Sequence, residues 1–205
     1  MTSIISPDFT AILARAAVAY REPRQERPSA DMVVDALLSA EKATKQQRLE
    51  YPFQSLLGKW RLCFVTGTRK VKKRGGIVLG KGFYLPKFAK AHILFSPSTQ
   101  ALDSTPTQGE IGNQVQLGSV SLKLLGPAQY LGKKNLLAFD FTNMQISLFG
   151  RVIYTGQIRG GKVQELDFDK KPIAKLPFFT FFQVTEDFIA ARGRGGGLAL
   201  WIKES

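Results

Sequence analysis

The side chains that perform covalent chemistry in proteins are sparse and scattered along this chain. His92 is its single histidine and Cys63 its single cysteine, so neither a His/Cys metal cage nor an intrachain disulfide can be assembled. His92 has no serine or cysteine partner in a recognisable motif, and Asp140, Glu165, Asp167, Asp169, Glu186 and Asp187 form no recognisable carboxylate pair. Cys63, beside Arg61 and Val65 in an apolar run, reads as a packed thiol rather than an activated nucleophile. Gly193 to Gly197 lacks the Lys-Ser/Thr that completes a phosphate loop. No catalytic residue, metal or cofactor is therefore predicted, and binding is the chemistry to look for.

Charge is the strongest binding signal. Lys and Arg number 29 against 16 Asp and Glu, a net charge of +13, which calls for an anionic partner or surface. The excess is local. From Tyr51 to Leu102 there is no acid, while Lys59, Arg61, Arg69, Lys70, Lys72, Lys73, Arg74, Lys81, Lys87 and Lys90 all fall there. Arg69, Lys70, Lys72, Lys73 and Arg74 form a basic loop, and Phe83, Tyr84, Lys87 and Phe88 follow it as an aromatic and basic segment. Membrane docking through these nine residues is the leading reading, since each Lys or Arg near an anionic surface gains ~1 kcal/mol. A merely solvated face ranks next. Nucleic acid ranks last, although single-strand binding also combines basic and aromatic residues. A reducing compartment, cytoplasm or stroma, is expected from the cysteine usage, and neither a membrane-crossing apolar run nor a secretory signal is read from the sequence.

These residues must be positioned by a mainly β architecture. Residues 1–50 read as an N-terminal helical extension, with Ser6-Pro7-Asp8 starting one helix and Ser29 capping another. Phe9, Ile12, Leu13, Ala16, Ala17 and Tyr20 form one apolar stripe and Val33, Ala36, Leu37 and Ala40 the next. Packing against their own domain is the expected use. Residues 51–205 read as roughly eight to ten short strands closing a sandwich or barrel. In the first strand Trp60, Leu62 and Phe64 are expected to share a face. Leu137, Phe139 and Phe141 share one later, then Met144, Ile146 and Leu148, with Val152 and Tyr154 continuing the pattern. In the strand over 178–185, Phe179 and Phe181 face one way and Phe178 and Phe182 the other. Gly160-Gly161 signals one hairpin, and the glycine-rich run after Arg192 the last.

Gly58-Lys59-Trp60-Arg61-Leu62, together with Phe188 through Trp201 centred on Arg192-Gly193-Arg194-Gly195-Gly196, resembles the opening and closing motifs of the plastid lipid-associated protein (fibrillin) family of cyanobacteria and plastids. The likeness spans roughly residues 30 to 203 in order and spacing and is specific at its two ends. It implies a lipocalin-like antiparallel β-barrel with N-terminal helices that binds a hydrophobic small molecule, such as a lipid, isoprenoid quinone or carotenoid. It also implies peripheral association with thylakoids or plastid lipid bodies. By the same likeness Trp60 closes one end of the barrel beneath Arg192 or Arg194.

The lining of a binding cavity would come from Trp60, Phe139, Phe141, Phe149, Tyr154, Phe179 and Phe181, with Arg192 and Arg194 at the end. A barrel filled by its own side chains is equally compatible with these residues. Two alternatives to carriage stay open. One is a scaffold whose helices recruit an enzyme of isoprenoid or pigment metabolism; the other is a basic nucleic-acid-binding domain.

Overall fold

The computed structural model describes residues 8–22, 24–71, 76–97, 108–158, 168 and 171–204. Two helices, α1 (Asp8–Arg21) and α2 (Ala30–Gln47), precede eleven strands: β1 (Gly58–Val71), β2 (Gly76–Tyr84), β3 (Ala89–Pro97), β4 (Gln108–Leu117), β5 (Val120–Leu131), β6 (Leu136–Phe139), β7 (Asn143–Leu148), β8 (Arg151–Gln157), β9 (Phe178–Val184), β10 (Phe188–Gly193) and β11 (Leu198–Lys203). Eight of them, in the order β4-β3-β1-β11-β10-β9-β6-β5, close on themselves through the β4–β5 pairing. The protein is thus a mainly β, lipocalin-like antiparallel barrel with N-terminal helices. The Gly160-Gly161 hairpin lies outside the described residues, as do Lys72, Lys73 and Arg74. Arg69 and Lys70 are described only as backbone positions of β1, paired with Val78 and Ile77.

The helices are tied to the barrel's outer surface by a shared core. Leu13, Ala16, Ala17 and Tyr20 of α1 and Val33, Ala36, Leu37 and Ala40 of α2 are buried with Cys63, Phe64, Phe182, Ala190, Leu198 and Leu200. Ser29 begins α2 by accepting a hydrogen bond from the Met32 amide, which satisfies one of the helix's otherwise unpaired donors. On the far side of the sheet, Trp60, Ile93, Phe95, Ile111, Tyr130, Phe139, Phe181, Ile189 and Trp201 fill the barrel. A 3-10 turn over Phe53–Leu56 brings Phe53 and Leu56 under that interior core and closes one end.

One expectation fails at a β-bulge. The β1–β11 register slips between Leu62 and Phe64, and one extra residue inverts which face the following side chains occupy. Trp60 and Leu62 point inward, whereas Phe64 points outward under the helices with Cys63. A second slip, between Ile146 and Ser147, pairs Val152 with Ser147 and Tyr154 with Ile146, so Val152 and Tyr154 do not share a face. The Phe178–Phe182 alternation is as expected, with Phe179 and Phe181 against the interior core and Phe182 in the outer one.

β5 changes partners along its length. Val120 to Leu125 pair with β7 and Ala128 to Leu131 with β6. The exchange occurs at Gly126, over which the chain leaving β6 passes so closely that an added methyl would sit 1.9 Å from the Asp140 carbonyl oxygen. Gly126→Ala is therefore expected to destabilise the protein by ~1–3 kcal/mol in urea unfolding, because the backbone itself must shift. Gly132→Ala, where the added methyl would meet nothing within 4 Å, is the near-neutral comparison.

Candidate ligand site at the barrel mouth

The closed end of the barrel is built around Trp60. Its indole is fully buried, Nε1 donates to the Leu56 carbonyl at 2.7 Å, and the Lys203 ammonium stands 4.1 Å from the ring centroid. Lys203, not Arg192 or Arg194, is thus the cation on this tryptophan. Residues alternate along β10, and the face that carries Ile189 and Ala191 inward turns Arg192 outward. There Nε of Arg192 donates to Glu41 Oε1 of α2 at 2.8 Å, and its terminal nitrogens reach Glu41 Oε2 and the Gly196 carbonyl. Burial alone would raise the Glu41 pKa, but hydrogen bonds from Arg192 and Lys45 outweigh it and hold the carboxyl below the ordinary range. Arg194 donates to the carbonyls of Lys175 and Leu176. Both arginines fasten the fold and neither lines the interior.

Above Trp60 the interior is aromatic. Phe95 meets Phe181 edge to face at 5.9 Å, Phe179 meets Trp201 likewise at 5.5 Å, and Phe139 stacks on Phe179 at 5.2 Å and touches Phe141 at the same distance. Phe141 and Phe179 are only partly buried, so with Phe139 they form the upper surface of this plug. The structure therefore brings together Trp60, Phe139, Phe141, Phe179 and Phe181 of the expected lining. Trp60 and Phe181 lie deep in it, and the other three face the mouth.

Phe149 and Tyr154 are placed elsewhere. Phe149 occupies the β7–β8 turn, 80% exposed, and Tyr154 is on β8, outside the closed ring. Their position follows from how β4 and β5 outrun the barrel. The side of these strands that carries Ile111, Ala128 and Tyr130 into the interior continues, with unbroken register, past Gly126 and Asn113 through Val115, Leu117, Val120, Leu122 and Leu124. Pairing then extends it across Met144, Ile146 and Leu148 of β7 to Tyr154 of β8. The reverse side of the same strands is mainly polar, carrying Gln114, Gln116, Ser121, Lys123, Gln145 and Ser147 beside Leu125.

The inner face of the barrel thus runs on past the closed ring as an apolar wall, and that wall is open to water. Leu117 is 56% and Val120 48% exposed, and Leu148 and Tyr154 are exposed as well. Off the closed ring, Phe83 of β2 pairs with Val65 of β1 and is exposed. Phe88, 75% exposed, immediately precedes Ala89, whose partner is Leu117. Lys87, Lys90 and Arg151 are exposed beside these rim residues in the chain. Tyr84 is not available for docking: it packs on Phe64 at 5.1 Å and its hydroxyl donates to the Pro28 carbonyl.

Sequence reasoning missed the β4 and β5 part of this wall. Its signal is present in the alternation of Gln114-Val115-Gln116-Leu117 and Val120-Ser121-Leu122-Lys123-Leu124, but alternation does not say whether the apolar side meets a core or water. Phe149 adds a second sign of selection. It adopts φ 49° ahead of Gly150 at 77°, a left-handed pair that hairpin turns normally fill with Asn-Gly. A large, exposed aromatic in that conformation gains nothing for folding.

Among the described residues no helix is long and apolar enough to cross a membrane, and no group of three or more His, Cys, Asp or Glu side chains could hold a metal ion. No protein-family model and no curated protein matches the chain.

Proposed function

We propose that this is a non-enzymatic carrier that holds a hydrophobic molecule in the mouth of its barrel and takes it from, or delivers it to, an anionic membrane. The observation that carries this reading is the water-exposed apolar wall of β4, β5, β7 and β8, continuous with the barrel's interior core. Exposed apolar surface of this extent marks a binding face, and full burial of each Leu, Val or Ile side chain is worth ~1.5–3 kcal/mol. Phe139, Phe141 and Phe179 form the floor on which an isoprenoid, carotenoid or acyl chain would end. The polar head would remain at the rim.

Membrane association fits the same end of the molecule. Phe83, Phe88, Leu117 and Phe149 would enter the headgroup layer while Lys87, Lys90 and Arg151 meet anionic lipid. Fibrillin-family membership and a thylakoid or lipid-body location belong to this proposal and rest on the Gly58–Leu62 and Arg192–Gly196 motifs. Recruitment of an enzyme through the helices is less well supported, because the apolar stripes of α1 and α2 are already covered by the barrel.

The test uses a fluorescent polyene fatty acid and flotation on phosphatidylcholine vesicles with and without phosphatidylglycerol. Wild type is expected to bind the probe saturably and to float with the anionic vesicles. The substitutions Leu117→Glu, Val120→Glu and Leu148→Glu together should weaken probe binding at least ~10-fold, the equivalent of about 1.4 kcal/mol. Phe149→Asn separates function from folding. It should stabilise the protein by up to ~1 kcal/mol through relief of the left-handed strain and yet reduce flotation. A wild type that ignores both probe and vesicles sinks the proposal.

A further inference from the structure

A second cleft, which shares only Lys87 with the rim of the mouth, is lined by residues from the end of α1, from β1 and from β11. It encloses about 270 Å3 and is lined by Tyr20, Arg21, Arg61, Lys87, Lys203 and Glu204 together with Ile202. Two buried polar atoms in this lining, the Tyr20 hydroxyl and Arg61 Nε, make no hydrogen bond of ordinary geometry among the described residues. Burial raises the Tyr20 pKa, and against that effect the Arg61 guanidinium lies close enough to the hydroxyl to favour its ionised form. Tyr20 is 2% exposed. The Arg61 guanidinium sits 5.5 Å from the Tyr20 ring centroid, and its NH2 group donates to the Lys87 carbonyl at 2.9 Å.

The surroundings are strongly positive. Arg21 reaches the Asp187 and Lys203 carbonyls, the Arg27 guanidinium stands 5.6 Å from the Tyr20 ring centroid, and Lys87 is exposed. The one carboxylate in the lining, Glu204, is already taken up by Lys59 at 2.8 Å and His92 at 2.7 Å. Asp187 is three-quarters exposed and reaches Arg21 at only 3.4 Å. The cations therefore exceed the acids, and the two orphaned atoms are donors in need of acceptors.

We propose that this cleft binds a phosphoryl oxyanion, carried either by a soluble phosphate ester or by a phospholipid headgroup. A phosphoryl group offers only acceptors, and it offers several at tetrahedral angles. Tyr20 and Arg61 Nε can then be satisfied at once while Arg21 and Lys87 supply charge, whereas a planar carboxylate presents two oxygens in one plane. Guanidinium to phosphate contacts are charge-assisted and among the stronger hydrogen bonds in proteins. The inference stands independently of the mouth, since none of its residues belongs to the apolar wall.

The test titrates glycerol 3-phosphate into the full chain at low ionic strength by calorimetry, with phosphatidylglycerol vesicles as a parallel arm. Saturable one-to-one binding is expected, weakened ~5- to 10-fold by Tyr20→Phe and further by Arg61→Gln. Tyr20→Phe removes a hydroxyl whose proton has no acceptor among the described residues, so its melting temperature without ligand should stay close to that of wild type. The ligand should then raise the wild-type melting temperature more than that of the variant. Binding of the soluble ester identifies that source. Tyr20-dependent binding to vesicles alone identifies a headgroup. Binding to neither, or binding that Tyr20→Phe leaves unchanged in both arms, overturns the proposal, and neither result depends on whether the mouth takes up an apolar probe.

Discussion

Trp60→Ala is expected to remove about 3–5 kcal/mol of stability, measured as the shift in urea midpoint at constant slope. Four separate contributions meet at this side chain. Its ring is fully buried among the interior core, so truncation leaves a cavity that the closed barrel cannot collapse around. Its Nε1 donor leaves the Leu56 carbonyl unpaired when deleted. The Phe53–Leu56 turn loses the surface against which it closes the barrel end. The Lys203 ammonium loses its cation-π partner, worth ~0.5–2 kcal/mol depending on solvation. Trp60→Phe keeps much of the volume and should cost less than half as much. Lys203→Met should cost at most the cation-π share. A protein of ordinary stability holds about 5–15 kcal/mol in all, so Trp60→Ala approaches the limit of what the fold tolerates. A cost under about 1 kcal/mol would mean that the end of the barrel is not closed by this residue.

The sequence made the strand faces legible over most continuous runs and lost them at the bulges in β1 and between β7 and β8. Phe178 to Phe182 alternates as the pattern of large residues says it must, although β9 and β10 slip by one residue between Phe181 and Gln183, because that slip falls at the end of the run and the pairing with β6 is regular. Phe64, expected on the face of Trp60 and Leu62, lies on the other one because one residue is added between Leu62 and Phe64, and nothing in Leu62-Cys63-Phe64 announces it. Arg192 illustrates a different limit. A motif can place an arginine near the end of a barrel, but whether it turns toward Trp60 or toward Glu41, 151 residues away in sequence, depends on the parity of β10. The site divides along the same line. Phe139, Phe141, Phe179 and Phe181 could be picked out by residue type. The wall from Val115 to Leu148 could not, since the same alternation describes a strand whose apolar side is covered. The exposure of Val115, Leu117, Val120 and Leu148 shows that side to be bare.

The pair between α2 and the barrel gives the second large effect. Glu41→Ala is expected to cost about 2–4 kcal/mol, somewhat below the range for a fully buried pair because Arg192 keeps about a quarter of its side-chain surface in solvent. Most of that cost comes from the Arg192 guanidinium left facing the helix without its acceptor. Glu41→Leu combined with Arg192→Met should therefore be less damaging than Glu41→Ala alone, a sign of coupling that a double-mutant cycle reads directly. Acidity should act on the same contact. Because the Glu41 carboxyl is held below its ordinary pKa of 4.5 in the folded protein, its contribution is complete above pH 4.5 and declines as pH falls through the folded value. Glu204 is shifted the same way: burial opposes ionisation, but Lys59 and His92 prevail. His92 is depressed by burial first, with Lys59 and Arg61 adding to it and Glu204 opposing. Its neutral form is the one favoured by folding, so its contribution begins to fade below about pH 6.5, the ordinary histidine value. Wild-type stability should thus fall in two stages on acidification, first below pH 6.5 and then more steeply below 4.5. In Glu41→Gln the upper stage should persist while the lower one flattens. That outcome assigns the acid sensitivity of the helix-barrel junction to this carboxylate rather than to the strand ends near His92. An unchanged lower stage would place it with Glu204 instead.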